Sequence, residues 1–198
     1  EKMPPFTGGL VGYFSYDYIK TVNKAETGGQ EQQDFRDMDL MLFDQVIDLT
    51  ISDRSTSDHR CDADDLEASY EKAVKKLEEM AQLIRNGEHM EFEPLDFSQK
   101  TAEISEEKYA EMVEKAKHYI REGDIFQVVL SNPMRAKAIG SLFDTYRVLR
   151  ASNPSPYMFY FSSDDIELAG ASPETLAKLE NGTLSTFPLA GTRPRGKT

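Results

Sequence analysis

Three cations in five residues, Arg193, Arg195 and Lys197, stand among Gly191, Thr192, Gly196 and Thr198 in the segment 184–198 (LSTFPLAGTRPRGKT). Guanidinium and ammonium groups are donors only, so this composition suits a small anion better than an apolar partner. Glycines lack the Cβ that would keep a ligand from backbone N–H groups, and the threonine hydroxyls add further donors. The rest of the chain is acidic, with 35 Asp and Glu against 23 Lys and Arg and a net charge of -12. An anion would therefore be tolerated chiefly at this segment.

Two readings compete for these residues. Residues 191–198 (GTRPRGKT) satisfy the phosphate-loop pattern G-x-x-x-x-G-K-S/T, with Lys197 and Thr198 in the phosphate and magnesium roles of a nucleotide-binding module. That loop works by aiming a following helix at the phosphates, and no residue of this sequence follows Thr198 to form one. Pro194 also removes a backbone donor from its middle. The second reading starts from PLAGTRPRG at 188–196, preceded by GDIFQVVLS at 123–131, NPSPYMFY at 153–160 and SPE at 172–174. PLAGTRPRG resembles the chorismate-binding segment of the chorismate-utilising enzymes. The four motifs, in this order and over about half the chain, resemble component I of anthranilate synthase, a far more specific signal than one motif alone.

The resemblance implies a lyase of tryptophan biosynthesis that converts chorismate and ammonia to anthranilate and pyruvate. The ammonia would be released from glutamine by a partner amidotransferase subunit, component II. Gly191 and Thr192 are then the chorismate contacts, because a dicarboxylate on a ring needs fixed N–H donors and hydroxyls. Arg193, Arg195 and Lys197 either contribute longer-range attraction or remain solvated. Pro156, Tyr157 and Met158 match the segment that helps bind the feedback inhibitor tryptophan, and an aromatic ring with a thioether suits an indole; ordinary strand core is the competing reading. The L-L-E-S type segment that also serves the family's inhibitor pocket does not stand in this sequence. Gln127 is expected to pair with a backbone group rather than to orient substrate.

The family's magnesium-binding glutamates and general-base histidine follow PLAGTRPRG, so no catalytic and no metal-binding residue is assigned within this chain, and Mg2+ is expected only of the whole protein. Ala190 stands where aminodeoxychorismate synthases typically carry a lysine (PIKGT) that can attack the ring. This disfavours aminodeoxychorismate synthase component I, the alternative within the family. A non-catalytic domain that binds tryptophan is a further alternative.

Composition bounds these readings. With 39% hydrophobic and 10% aromatic residues, the 198-residue chain is expected to be globular rather than disordered. The acidic balance excludes a nucleic-acid groove or an anionic membrane surface as the expected partner. Cys61 is the single cysteine and cannot form an internal disulfide, which suits a reducing compartment. No apolar run approaches membrane-spanning length and the start (EKMPPFTGG) lacks signal-peptide organisation, so a cytoplasmic piece of a longer protein is expected.

The elements that must position these residues read as mixed α+β with largely antiparallel sheet and flanking helices, an incomplete chorismate-utilising fold. Residues 1–100 form a leading strand and helix region, and residues 101–198 the first part of the chorismate-binding region. Strands are expected over 8–18, 38–51, 124–130, 157–161 and 166–171, with exposed loops at 21–37 and 52–65. Helices are expected from Asp65 to Gly87, capped by Asp62 or Asp64, and from Ser105 to a left-handed Gly123, with Tyr109, Met112, Val113, Ala116, Tyr119 and Ile120 as the apolar stripe of the second. A third helix spans 141–150, and residues 88–100 connect the two halves. Ser172, Pro173 and Glu174 read as a helix start, and Asn181-Gly182 reads as a hairpin turn. His59, His89 and His118 are expected to be solvated.

Mixed on its own with chorismate, Mg2+ and ammonium, this chain is expected to generate no anthranilate. The appearance of anthranilate fluorescence would overturn that expectation.

Overall fold

The computed structural model describes residues 6–22, 35–49, 54–58 and 65–189 and positions 191, 194 and 196, with 54–58 as backbone only. It comprises two compact units, Glu1–Met90 and Glu91–Thr198.

In the first unit, strand β1 (Gly9–Phe14) pairs antiparallel with β2 (Met38–Phe43), Gly9 opposite Phe43 and Phe14 opposite Met38. Gly12 is what lets the strands meet, because a Cβ there would come within 1.9 Å of the Asp39 carbonyl oxygen. Ser15 ends β1 and caps a 3-10 turn (Tyr16–Tyr18) by accepting the Tyr18 N–H, and the short helix α1 (Ile19–Val22) follows.

The single strand expected over 38–51 is in fact two. β3 (Gln45–Leu49) separates from β2 at Asp44 and pairs with a different partner, β4 (Arg54–Asp58). This corrects the loop expected at 52–65: a serine-rich segment became a strand because a neighbouring strand offered its backbone a ladder, which outweighs weak local propensity.

Helix α2 (Leu66–Asn86) is capped by Asp65, whose carboxylate accepts the Ala68 N–H at 3.0 Å; Asp62 and Asp64, the expected caps, lie outside the described residues. Ala73, Val74, Leu77 and Ala81 are half-buried as the periodicity requires, and Met80 is the buried residue of this helix. Leu66, Tyr70 and Ile84 of the same stripe are exposed. Gly87 closes the helix in extended geometry, its N–H donating to the Leu83 carbonyl.

In the second unit, β5 (Asp96–Phe97) and β6 (Thr101–Ala102) form two-residue ladders that lie in the expected connector and at its edge. Their partners are β8 (Ala138–Ile139) and β7 (Met134–Arg135), respectively. Between them runs α3 (Glu106–Glu122), where Ser105 accepts the Lys108 N–H and Gly123 adopts φ 83. Tyr109, Met112, Val113 and Ala116 are half-buried, whereas Tyr119 and Ile120 are exposed.

Helix α4 (Phe143–Ser152) begins two residues later than expected and packs on the antiparallel pair β9 (Tyr157–Ser162) and β10 (Glu167–Ser172). Rings stack between them: Phe143 lies 5.2 Å from Tyr160 edge-on and 4.7 Å from Phe92, and Tyr146 lies 5.9 Å from Tyr160. Phe161, on the opposite side of β9 from Tyr160 by strand alternation, is buried. The hairpin β11 (Thr175–Glu180) and β12 (Thr183–Phe187) closes the described fold.

Two expectations fail here. Residues 124–130 form no strand: they have no ladder partner among the described residues, the chain bends at Asp124 and Phe126, and Phe126 is 98% exposed. β-branched and apolar residues favour a strand only where another backbone pairs with them. Residues 172–174 start no helix, because the six residues after Glu174 pair with β12 across a two-residue turn. The capping chemistry survives locally, with the Glu174 N–H on Ser172 Oγ at 3.3 Å, but the hairpin ladder decides the conformation.

The Asn181-Gly182 turn is as expected, with both residues at positive φ, 51 and 76. Replacing Gly182 with Ala places a Cβ on left-handed backbone and is expected to cost about 1 kcal/mol. The cost is read as a lower urea midpoint at unchanged slope.

Candidate functional site

Three of the four motifs scattered in sequence meet at one peptide unit, that of Leu189, and the fourth bonds beside it. Its N–H donates to Glu174 Oε1 at 2.8 Å, and its carbonyl accepts from Gln127 Nε2 at 3.4 Å. Gln127 thus pairs with backbone, as expected from its sequence. Glu174 belongs to SPE, Gln127 to GDIFQ and Leu189 to PLAGT. The fourth motif, NPSPYMFY, joins through β9: the Tyr157 hydroxyl lies 2.5 Å from Thr175 Oγ1, and Ser155 Oγ donates to the Ser172 carbonyl at 2.8 Å.

The β9–β10 register makes this possible. Tyr157 pairs with Ser172, so the start of β9 is brought beside the turn that leads into β11. Gly170 sits opposite Phe159, and a Cβ there would approach the Phe159 ring to 2.3 Å. The residues 126–132 are held from the other side: Tyr109 of α3 donates its hydroxyl to the Leu130 carbonyl at 3.2 Å, and the Asn132 side chain exchanges two hydrogen bonds with the Ile104 backbone at 3.0 and 3.1 Å. The Asn132 amide therefore substitutes for one rung of a strand ladder.

Gly191 lies two residues beyond the clamped Leu189, and a Cβ built on it would meet no atom within 4 Å. A ligand can therefore approach its backbone. Thr192 lies outside the described residues, as do Ala190, Arg193, Arg195, Lys197 and Thr198. The phosphate-loop reading falls largely on these same positions.

Pro156 precedes β9, Tyr157 and Met158 open it, and strand alternation sends the last two to opposite faces. Tyr157 is exposed and turns to Thr175; Met158 is half-buried on the face shared with Tyr160, and its sulfur accepts the Ser155 N–H at 3.3 Å. One planar ligand on one face would meet only one of these side chains, and the other would contribute backbone.

The group that sequence reasoning missed is Glu167, the first residue of β10. Its carboxylate accepts the Leu142 N–H at 2.6 Å, the Ser141 hydroxyl at 3.0 and 3.2 Å and the Tyr160 hydroxyl at 2.9 Å. It thus fastens the entry to α4 onto both strands. The Leu142 N–H above all holds this carboxyl below the ordinary 4.5; partial burial opposes it, and the Tyr160 and Ser141 hydroxyls add to the lowering. An acidic residue beside a strand end carries no pattern that could have revealed this.

Fold and site together define a class. The family model described as chorismate binding enzyme matches residues 1–198, and the chain belongs to that family. Among curated relatives, anthranilate synthase component 1 of Aquifex aeolicus is 40% identical over 210 residues, covering 100% of this chain and 41% of that protein. The probable anthranilate synthase component 1 of Schizosaccharomyces pombe is 36% identical, covering 100% of this chain and 42% of its own length. The crystal structure of anthranilate synthase component I from Streptococcus pneumoniae superposes with a TM-score of 0.73 at 32% identity, covering 94% of this chain and 43% of that one. The chain thus spans about two fifths of the length of the proteins it matches.

Glu167→Ala is expected to destabilise the second unit by about 2 kcal/mol, because it strands several donors at once. The folded carboxyl titrates below its unfolded value. Its contribution is therefore complete above about pH 4.5 and is lost as pH falls through the lower folded value. Urea melts of parent and variant should accordingly differ at neutral pH and converge in acid.

Proposed function

We propose that the chain is the chorismate-gripping part of an anthranilate synthase component I. The observation that supports it most is that two motifs bond the Leu189 peptide of a third and the fourth bonds the turn at Ser172–Thr175, next to the segment that the family resemblance assigns to chorismate. The relatives named anthranilate synthase component 1 add weight. In this reading the whole protein is a lyase that forms anthranilate and pyruvate from chorismate and ammonia, and a glutamine amidotransferase subunit supplies the ammonia.

Gly191 offers its backbone and Thr192 its hydroxyl to the substrate, while Glu174 and Gln127 keep the approach to Gly191 in one place. A fixed donor array of this kind stabilises charge without reorganising when the substrate arrives. Pro156, Tyr157 and Met158 receive tryptophan as feedback inhibitor. Mg2+ enters only as a partner of the whole polypeptide, held by residues that follow this segment in the family. The setting is taken to be the cytoplasm; no helix among the described residues is long and apolar enough to cross a membrane.

The test uses the natural polypeptide that contains this sequence, with ammonium as amine source. Thr192→Val is expected to raise the KM for chorismate about tenfold, the loss of one hydrogen bond to a charged group. The aromatic product of the parent should be anthranilate. Formation of aminodeoxychorismate instead, or an unchanged KM in the variant, would overturn the reading.

A further inference from the structure

The run that carries Gln127 is fastened to the segment leading into α3 by a zipper that changes from backbone to side chains partway along. It starts at the β6–β7 ladder, where Thr101 pairs with Arg135 and Ala102 with Met134; the same antiparallel register, continued, sets Glu103 opposite Pro133 and Ile104 opposite Asn132. The Glu103 N–H donates to the Pro133 carbonyl at 3.1 Å. Pro133 has no N–H to give in return, so the backbone ladder stops there. Asn132 continues it with its side chain: Nδ2 donates to the Ile104 carbonyl at 3.0 Å, and Oδ1 accepts the Ile104 N–H at 3.1 Å. Beyond the Ser105 cap, the Tyr109 hydroxyl donates to the Leu130 carbonyl at 3.2 Å. Leu130 stands three residues after Gln127, whose Nε2 donates to the Leu189 carbonyl at 3.4 Å.

We infer that Tyr109 and Asn132 are positioning residues for the candidate chorismate segment, acting through Gln127 on Leu189 and so on the approach to Gly191. The inference rests on the functional reading given above. The Gln127 bond is exposed and long, so its geometry depends on where the backbone that carries it is held. Residues 124–130 have no ladder partner among the described residues to hold them. The bonds of Asn132 and Tyr109 are half-buried and grip both ends of the stretch 130–132. An amide side chain carries a donor and an acceptor side by side, so Asn132 fixes both the height and the tilt of its backbone against the Ile104 peptide. Both residues bond to backbone at Ile104 and Leu130 rather than to the ligand segment, and their effect on it passes through Gln127 alone. A zipper that served only to stabilise the second unit would have no such dependence on Gln127.

The natural polypeptide that contains this sequence tests this, assayed with chorismate and ammonium. Tyr109→Phe, which deletes only the hydroxyl, and Asn132→Ala are each expected to raise the chorismate KM about fivefold while kcat changes less than about twofold. In a Gln127→Ala background the same two substitutions should change KM by less than about twofold, because the group through which they act is gone. Hydrogen exchange read by mass spectrometry adds a measure that needs no substrate: peptides containing Leu189 should exchange about threefold faster in Tyr109→Phe, Asn132→Ala and Gln127→Ala, while those from β9 and β10 keep parent rates. Should Asn132→Ala fold poorly, Tyr109→Phe, which keeps the ring, carries the test. KM effects that multiply in full on combination with Gln127→Ala, or parent-like exchange at Leu189 in the folded single variants, overturn the inference and leave the functional reading standing. A parent that does not turn over chorismate overturns the functional reading, and the exchange rates still decide whether Tyr109 and Asn132 position Leu189.

Discussion

A single carboxylate sets the frame of the second unit. Glu167 takes an N–H and two hydroxyls that come from the entry to α4 and from β9, and all of these donors are uncharged. Its lowered pKa is the thermodynamic mirror of that arrangement, because donors aimed at the ionised form make protonation unfavourable. The aromatic contacts among Phe143, Tyr146 and Tyr160 fill the space the carboxylate spans. With α4 fixed on the strands, the β9–β10 register is fixed too, and that register brings Tyr157 beside Ser172.

From there the site follows by short steps. Residues assigned to separate tasks by their motifs turn out to share hydrogen bonds: SPE holds PLAGT, GDIFQ holds the same residue from its carbonyl side, and NPSPYMFY holds SPE. Membership of the chorismate binding enzyme family accounts for the four motifs occurring together, and the geometry gives a physical reason for their occurring at all. The other three each supply a side chain that fixes backbone, so the PLAGT segment inherits its position from three distant places in the chain. If the proposed function holds, recognition of a dicarboxylate would depend on such fixed donors more than on net charge, in a protein whose overall charge is -12.

Much of this was legible in the residues. The α3 helix was readable from Ser105, its apolar spacing and Gly123, because capping and periodicity are local rules. The β11–β12 hairpin was readable from Asn181-Gly182, for the same reason. Illegible were the features that depend on a partner far away. Residues 54–58 look like loop until β3 pairs with them, and residues 124–130 look like strand although no described strand pairs with them. The SPE segment obeys the chemistry of a helix cap, yet the ladder that follows overrides it. The motifs could only name candidate residues, and the bonds of Glu174 to Leu189 and of Glu167 to α4 connect positions 15 and 25 residues apart, which nothing local announces.

The run at 126–130, which joins no ladder among the described residues, has a consequence for how the molecule behaves in bulk. Phe126 and Val129 are 98% and 82% exposed on a stretch whose backbone has no ladder partner among the described residues, which leaves apolar surface that a second copy could cover. Mutual repulsion between acidic chains opposes that encounter from a distance. Dissolved ions confine the repulsion to about 10 Å at 0.1 M and about 3 Å at 1 M. The colloidal lifetime of this chain is thus tied to ionic strength, through the same run whose Gln127 holds Leu189.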